Sequence, residues 1–215
     1  MKTTKENYLY ALGFKWLAPL YDLAVKIIIN EEEFRAHIVR AANIKPHHKV
    51  VDLGCGTASL AIKIKQEHPQ AEVTGLDGDN KILGIARGKI DGLKLDIALQ
   101  EGMIFRLPYP DNSFDRVFST LTLHHLKTED KVKALQEIWR ILAPLGEIHV
   151  ADFDKAAGKD NVLVGFLKNL HPHKIADTRR SLEQMLADTG FTSVRNQGIF
   201  KTMVGKIYCL GAIKG

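Results

Sequence analysis

The apolar positions of this chain follow two alternating rhythms. Short apolar runs at 49–53, 71–77, 97–101, 114–119 and 147–153 have the length and composition of strands, and two of them, ending at Asp77 and Glu101, close on a carboxylate. Between them, apolar residues recur at spacings of three and four over 58–68, 79–90 and 129–142, which predicts helices. In the last of these, Leu135, Ile138, Trp139 and Leu142 share one face. Asp79 or Asn80 suits the cap of the second. Upstream, two amphipathic segments are predicted over Trp16–Ile29 and Glu31–Ala42. Leu20, Leu23, Ala24, Ile27 and Ile28 face one way in the first, and Asn30 is a candidate N-cap for the second. Downstream, 154–177 shows no strand and only a short helical stretch, Val162–Leu170. A helix over 179–189 stops at Gly190, and Thr192–Phe200 and Lys206–Ala212 read as a closing hairpin. Strands that alternate with helices imply a largely parallel sheet covered on both faces. The expected fold is therefore α/β: a three-layer sandwich around a mostly parallel, seven-stranded sheet with an antiparallel last strand. One domain is expected across 1–215, with 1–45 as a helical cover and 154–178 as a variable insert.

Composition narrows the class. The 215 residues are 45% hydrophobic and 26% charged, enough for a sizeable core without disulfides or metals. The net charge of +5 comes from dispersed lysines and arginines, with no basic stripe interleaved with aromatics. A solvated surface explains it, and no nucleic-acid partner is expected. The two cysteines, Cys55 and Cys209, cannot form a framework, which favours a reducing, cytoplasmic setting. The N-terminus lacks the apolar core of a secretory signal, and the run Leu17–Ile29 is broken by Pro19, Asp22 and Lys26. No stable membrane insertion is expected.

The chemistry concentrates in Lys49–Ala61: a strand, the turn Gly54-Cys55-Gly56-Thr57, then a helix start. Glycine lets a ligand approach the backbone, and the helix start offers free N–H donors. A dinucleotide site wants a third glycine, where this chain has Ser59. Asp52, at the strand end before the turn, would repel a pyrophosphate and attract an ammonium or sulfonium. Asp77, at the tip of the second strand, can accept both hydroxyl hydrogens of a ribose. A ribose, no required phosphate and a positive charge describe S-adenosylmethionine.

Four stretches carry a resemblance to a known family. VVDLGCGTASLA, VTGLDGD, EGMIFRLPYPDNSFDRVFSTLTLHHL and ALQEIWRILAPLGEIHVADF resemble, in order and spacing over about 49–153, the motifs of class I S-adenosylmethionine-dependent methyltransferases. The resemblance is to the small-molecule group (methyltransferase type 11), and within it to the quinone-biosynthesis enzymes. It implies a Rossmann-like fold and methyl transfer from S-adenosylmethionine, leaving S-adenosylhomocysteine, to a small-molecule acceptor such as a quinone-like or other apolar metabolite. It implies that Gly54, Cys55 and Gly56 pack on the methionine part, Asp52 lies near the amino group, Asp77 holds the ribose and Gly78 lies beside the adenine. Met103 stands where the family usually has an aspartate on the adenine amino group, so the Ile104 backbone N–H is the expected adenine donor. Ser119 and Thr120 fall beneath the sulfonium. The family turn R-L-x-P-G-G loses a glycine here, reading Ala143-Pro144-Leu145-Gly146. The thiol of Cys55 reads as a filler of the tight turn.

The catalytic candidates are His124, His125 and Tyr21. Either histidine could serve as a base for a phenol or enol acceptor, or tie the loop to the next helix. Tyr21-Asp22 resembles a pair placed over the cofactor in this group and equally fits helix packing. His171 and His173 read as an exposed loop or as substrate contacts, and Phe153, Phe166 and Leu170 as core or an apolar substrate pocket. No metal site is expected, and a homodimer is left open. The rival readings are a nicotinamide (NAD)-dependent oxidoreductase and a non-catalytic S-adenosylmethionine-binding protein. Nucleic-acid methylation is disfavoured because Ser119-Thr120-Leu121-Thr122 lacks the Asn/Asp-Pro-Pro-Tyr/Phe clamp for a flipped base.

Overall fold

The structure, a computed structural model, describes residues 31–153, 178–202 and 205–215. The expectations for Trp16–Ile29, Tyr21, Asp22, Asn30, Val162–Leu170, Phe166, His171 and His173 lie outside the described residues. The described chain runs α1 (Glu31–Ala41), β1 (Lys49–Leu53), α2 (Ser59–Glu67), β2 (Glu72–Asp77), α3 (Asn80–Gly92), β3 (Ile97–Glu101) and β4 (Phe114–Thr120). A single 3₁₀ turn, Leu123–His125, leads to α4 (Thr128–Ile141), β5 (Leu142–Phe153), α5 (Thr178–Thr189), β6 (Phe191–Thr202) and β7 (Gly205–Lys214). Every element expected from periodicity within these residues is present.

The seven strands lie in the order β3-β2-β1-β4-β5-β7-β6. β1 pairs in parallel with β2 and β4, β2 with β3, and β4 with β5. Only β7 runs against its neighbours, β5 and β6, so the last strand is the antiparallel one. β1 sits centrally, and Val50, Val51 and Leu53 on it are fully buried. A strand covered on both faces needs an apolar run of this kind. One core lies under α4 and α5, with Leu135, Ile138, Ile141 and Leu186; the other lies under α1, α2 and α3, with Phe34, Ile38, Ile64 and Ile90. Strand order reverses between β1 and β4. The crevice beyond the C-terminal ends of these strands is where open α/β sheets take ligands.

Helix starts differ in a useful way. α3 is capped as its sequence predicts, with the Asp79 side chain accepting from Lys81 N–H at 2.9 Å. α2 has no side-chain cap, and Ala58 before it is left-handed at φ 61°. The end of α4 departs from expectation. The helix stops at Ile141, and Leu142, expected on its face, is already the first residue of β5. The strand therefore begins before the Pro144–Gly146 turn rather than after it. Its register breaks there: Phe114 pairs with Leu142, while Arg116 pairs with Glu147. Leu145 takes a left-handed φ of 63° in the bulge and is 75% exposed. At Gly146 a Cβ would lie 2.8 Å from Ala143 O, so the remaining glycine of this turn is required by space.

Candidate functional site

The sheet brings Asp52, the Gly54–Thr57 turn, Asp77, Ser119, Thr120 and the 3₁₀ turn to one edge. Asp52 is buried at the end of β1, and its Oδ1 has no hydrogen-bond partner among the described residues. Burial pushes its carboxyl up to about 7. Arg35 of α1 and the Ala61 N–H pull it down, and Asp77 pushes it up. Arg35 carries no sequence signal that separates it from other helical arginines.

The glycine turn is shaped by what surrounds it. Gly54 N–H and Cys55 N–H both donate to Leu76 O, at 2.7 and 3.0 Å, which ties the turn to β2. Gly54 has φ +75°, and a Cβ there would lie 2.3 Å from Thr122 Oγ1. Thr122 in turn donates to Thr120 O at 2.9 Å and to Gly54 O at 3.5 Å. Gly56, at φ +55°, opens onto space with no atom within 4 Å of a would-be Cβ. Cys55 is the filler the sequence suggested: its Sγ would lie 2.9 Å from a Cβ on Gly75. Burial drives its thiol far above the usual range, so the backbone is what Cys55 offers a ligand.

Asp77 is held by backbone donors. Gly56 N–H donates to its Oδ2 and Asp79 N–H to its Oδ1, both at 2.9 Å. Burial still raises its carboxyl above the usual value despite those donors. Each oxygen retains acceptor capacity beyond the one bond it makes here. Gly78 follows directly. Gly102 N–H donates to Asp77 O at 3.0 Å, which brings the Met103-Ile104 segment alongside β2. The Ile104 side chain is buried in the core while Met103 is half-buried, so Ile104 offers its backbone. Glu137 and Arg140 of α4 pin the rest of this loop. Leu107 N–H donates to Glu137 at 2.7 Å, and Arg140 donates to Tyr109 O at 2.7 Å and Asp111 at 2.8 Å.

Ser119 closes the floor. Its Oγ is buried with no hydrogen-bond partner among the described residues, and Thr120 beside it is half-buried. Two orphaned polar atoms, two carboxylates and a glycine facing open space form a donor and acceptor set suited to S-adenosylmethionine. The unpartnered Asp52 oxygen suits an ammonium, Asp77 a ribose diol, and Gly56 leaves room for close approach. Among the described residues, no three His, Cys, Asp or Glu side chains are grouped to hold a metal ion.

The two histidines separate. His124 is half-buried against β5, where its Nδ1 donates to Asp152 Oδ1 at 2.6 Å and its backbone N–H to Asp152 Oδ2 at 2.9 Å. His125 is exposed, its ring centroid 3.9 Å from that of His124. The Phe153 ring meets His124 edge-on at 5.6 Å. Tyr21 lies outside the described residues. Asp152 is the residue that sequence reasoning missed. Its signal was a carboxylate one residue before the end of a strand, in the stretch VADF, the same signal that singled out Asp52.

Residues 50–146 match a family model described as a methyltransferase domain. The demethylmenaquinone methyltransferase of Deinococcus radiodurans is 35% identical over 147 residues, covering 67% of this chain and 60% of that protein. The match thus spans about three fifths of that relative's length. Among solved structures, Haemonchus contortus phosphoethanolamine N-methyltransferase 2, in complex with phosphomonomethylethanolamine and S-adenosylhomocysteine, superposes with a TM-score of 0.77 at 15% identity. That likeness covers 93% of this chain and 58% of the other. The [4+2]-cyclase SpnF superposes with a TM-score of 0.68 at 18% identity, covering 85% and 80%. Motif order, the family-model match and the 35% identity to that relative agree: the chain belongs to the class I S-adenosylmethionine-dependent methyltransferases, and residues 50–146 are the stretch that the methyltransferase-domain model matches.

Proposed function

We propose that this protein binds S-adenosylmethionine and transfers its methyl group to a small, quinone-like acceptor. The observation that carries the reading is the pair of carboxylates flanking an open glycine turn, buried Asp52 with its unpartnered oxygen and half-buried Asp77. Bound there, the cofactor supplies a methyl group activated by a positive sulfur. The chain's own residues do the rest. Asp52 meets the ammonium end, Asp77 accepts from the ribose hydroxyls, the Ile104 N–H and Gly78 flank the adenine, and Ser119 and Thr120 sit below the sulfur. Holding an acceptor in line with the methyl accounts for much of the rate in such a reaction. His124 is the base at this edge, with His125 beside it and Tyr21 as a second candidate.

The quinone-like acceptor is supported by the name of the Deinococcus relative. Fold alone supports no acceptor, because the [4+2]-cyclase SpnF shares this architecture. Among the described residues no helix is long and apolar enough to cross a membrane. The test is calorimetry with S-adenosylhomocysteine followed by methyl transfer to a demethylated naphthoquinol. Micromolar binding that weakens at least tenfold in Asp77→Ala, together with product formation, is expected. Wild-type affinity in that variant, or no binding to folded protein, refutes the proposal. Tight binding without transfer across a panel of acceptors would favour the non-catalytic reading.

A further inference from the structure

On the far side of the sheet from β3, the β6–β7 hairpin runs past the end of its neighbour. Phe153, the last residue of β5, pairs with Ile207, while Lys206 and Gly205 pair only with Lys201 and Thr202 of β6. Two residue pairs at about 3.4 Å each carry the hairpin roughly 7 Å beyond β5, at the same edge of the sheet as the crevice. Residues directly opposite in an antiparallel pair share a face, and so do residues two apart along a strand. Asp152, Tyr208 and Ile199 therefore form one row across β5, β7 and β6, and Lys206 and Lys201 form the next row outward. Ile199 is 47% exposed, and both lysines are exposed. Among the described residues neither lysine ammonium makes an ion pair or a hydrogen bond. Like charges placed directly opposite are destabilising. Edge protection accounts for Lys201 on β6, and a neutral residue opposite would give it without the repulsion. Two-residue connections ordinarily take Asn-Gly or Asp-Gly; Met203 and Val204 stand there in the sequence and lie outside the described residues.

We propose that this projecting face is a docking surface for an anionic lipid bilayer, with Lys201 and Lys206 on the headgroup phosphates and Ile199 against the headgroup–acyl boundary. The match is one of charge and polarity. Two facing cations without an internal counter-charge are relieved by a negative surface, and each adds about fivefold in affinity there. The apolar side chain beside them, half in water, gains from the boundary region. Attachment of this size is weak, reversible and salt-dependent. It needs no membrane-crossing helix, and none of the described helices is one. Behind the lysines the row leads through Tyr208 to Asp152, which holds His124 beside the crevice. One consequence rests on the methyltransferase reading above: the docked hairpin sets the crevice against the phase in which an apolar acceptor dissolves. A water-soluble acceptor gains nothing from it.

Flotation of the full chain with vesicles tests the surface. Vesicles of phosphatidylglycerol and phosphatidylcholine should bind it at least about tenfold more strongly than phosphatidylcholine alone, and rising salt should remove the difference. Lys201→Glu turns the repulsive pair into an opposite-charge pair with Lys206, so its Tm should hold or rise. Its affinity for the mixed vesicles should nevertheless fall at least about tenfold. Equal binding of the wild type to both vesicles overturns the proposal, as does wild-type affinity in Lys201→Glu. A contact readout comes from Ile199→Cys carrying an environment-sensitive fluorophore, since Cys55 and Cys209 are buried and stay unlabelled. Its emission should shift to the blue with mixed vesicles, and the same label on Leu145→Cys, at the opposite end of the sheet, should not. Equal shifts at the two positions also overturn the proposal. Lys201→Glu should keep wild-type affinity for S-adenosylhomocysteine and wild-type kcat with a short-chain, water-soluble naphthoquinol. Its KM for an acceptor carried in mixed vesicles should rise, and an unchanged KM overturns the link to the crevice. Failure of the wild type to bind S-adenosylhomocysteine would instead overturn the methyltransferase reading, with the vesicle and fluorophore measurements still deciding the surface.

Discussion

The two glycines of the turn are required for different reasons, and Gly54→Ala and Gly56→Ala should separate them. At Gly54 an added methyl would lie 2.3 Å from Thr122 Oγ1, 2.5 Å from Cγ2 and 2.9 Å from Cβ, on a backbone at φ +75°. A non-glycine residue in the left-handed region costs about 1–2 kcal/mol, and forcing a methyl into a packed position costs about 1–3 kcal/mol more. Thr122 can relieve the overlap only by giving up its bond to Thr120 O at 2.9 Å. The sum is a loss of about 2–5 kcal/mol, or roughly 4–20 °C in Tm for a chain this size. At Gly56 the added methyl meets nothing, so only the conformational cost applies, about 1–2 kcal/mol, while the methyl occupies the space a cofactor needs. Urea unfolding of the apo variants, followed by calorimetry with S-adenosylhomocysteine, reads both quantities. Gly54→Ala should be the less stable variant, and Gly56→Ala the more stable one with cofactor affinity lost. A companion Thr122→Ala should recover part of the Gly54→Ala loss by removing two of the three contacts, without touching the φ strain. Equal stability of the two glycine variants, or no recovery in the double variant, would refute the account of the turn.

Two further outcomes follow from the electrostatics and strain. Asp52, raised to about 7 by burial, must ionise to meet an ammonium, so S-adenosylhomocysteine affinity should climb by up to about tenfold per pH unit between pH 5.5 and 7 and then level off. The sign for stability is opposite. A carboxyl with a raised folded-state value stabilises the apo fold below the unfolded value and loses that contribution as pH rises through about 7. Asp52→Asn should flatten both dependences, and a flat wild-type binding profile would refute the argument. Leu145→Gly should raise apo stability by about 0.5–1 kcal/mol. About 1–2 kcal/mol of left-handed strain is relieved, and about 0.5–1 kcal/mol is lost to unfolded-state entropy. A lower Tm would show the bulge to be held by contacts of the leucine.

The fold was legible because its strands are buried on both faces and its helices on one. β1 and β3 matched expectation to the residue, since a carboxylate or glycine closes each apolar run. The start of β5 was not legible. Pro144 and Gly146 signal a turn, and nothing in the stretch ILAPLGE reveals that Leu142 already pairs with Phe114 on the near side of the bulge. The cofactor carboxylates were legible for a chemical reason: a charge in an apolar strand is costly unless it is used. The same reasoning applied to β5 would have found Asp152, but the HH pair drew attention to the loop instead of its partner. Arg35, Glu137 and Arg140 were illegible because helix-surface charges look alike in sequence, and only the tertiary fold distinguishes the arginine that reaches three loop carbonyls and carboxylates.

Left-handed backbone at the crevice and left-handed backbone at the β5 bulge have different meanings. Gly54, Gly56, Ala58 and Leu121 all take left-handed backbone angles, and all lie around the crevice beyond β1 and β4. Asp52 and Ser119, the orphaned polar atoms of the floor, lie there too. Such features cost stability wherever they occur and persist at sites that use them. Leu145 is equally left-handed, but it sits in the bulge before the paired stretch of β5, at the opposite end of the sheet from the crevice. Its side chain is 75% exposed, and none of the residues assigned to the cofactor lies in the bulge. The two groups should therefore respond differently to saturating S-adenosylhomocysteine. A ligand that neutralises Asp52 stabilises the protein in proportion to its affinity, and that gain should vanish in Asp52→Asn and Gly56→Ala and survive intact in Leu145→Gly. Strain at the crevice is coupled to binding; strain at the bulge belongs to the fold alone.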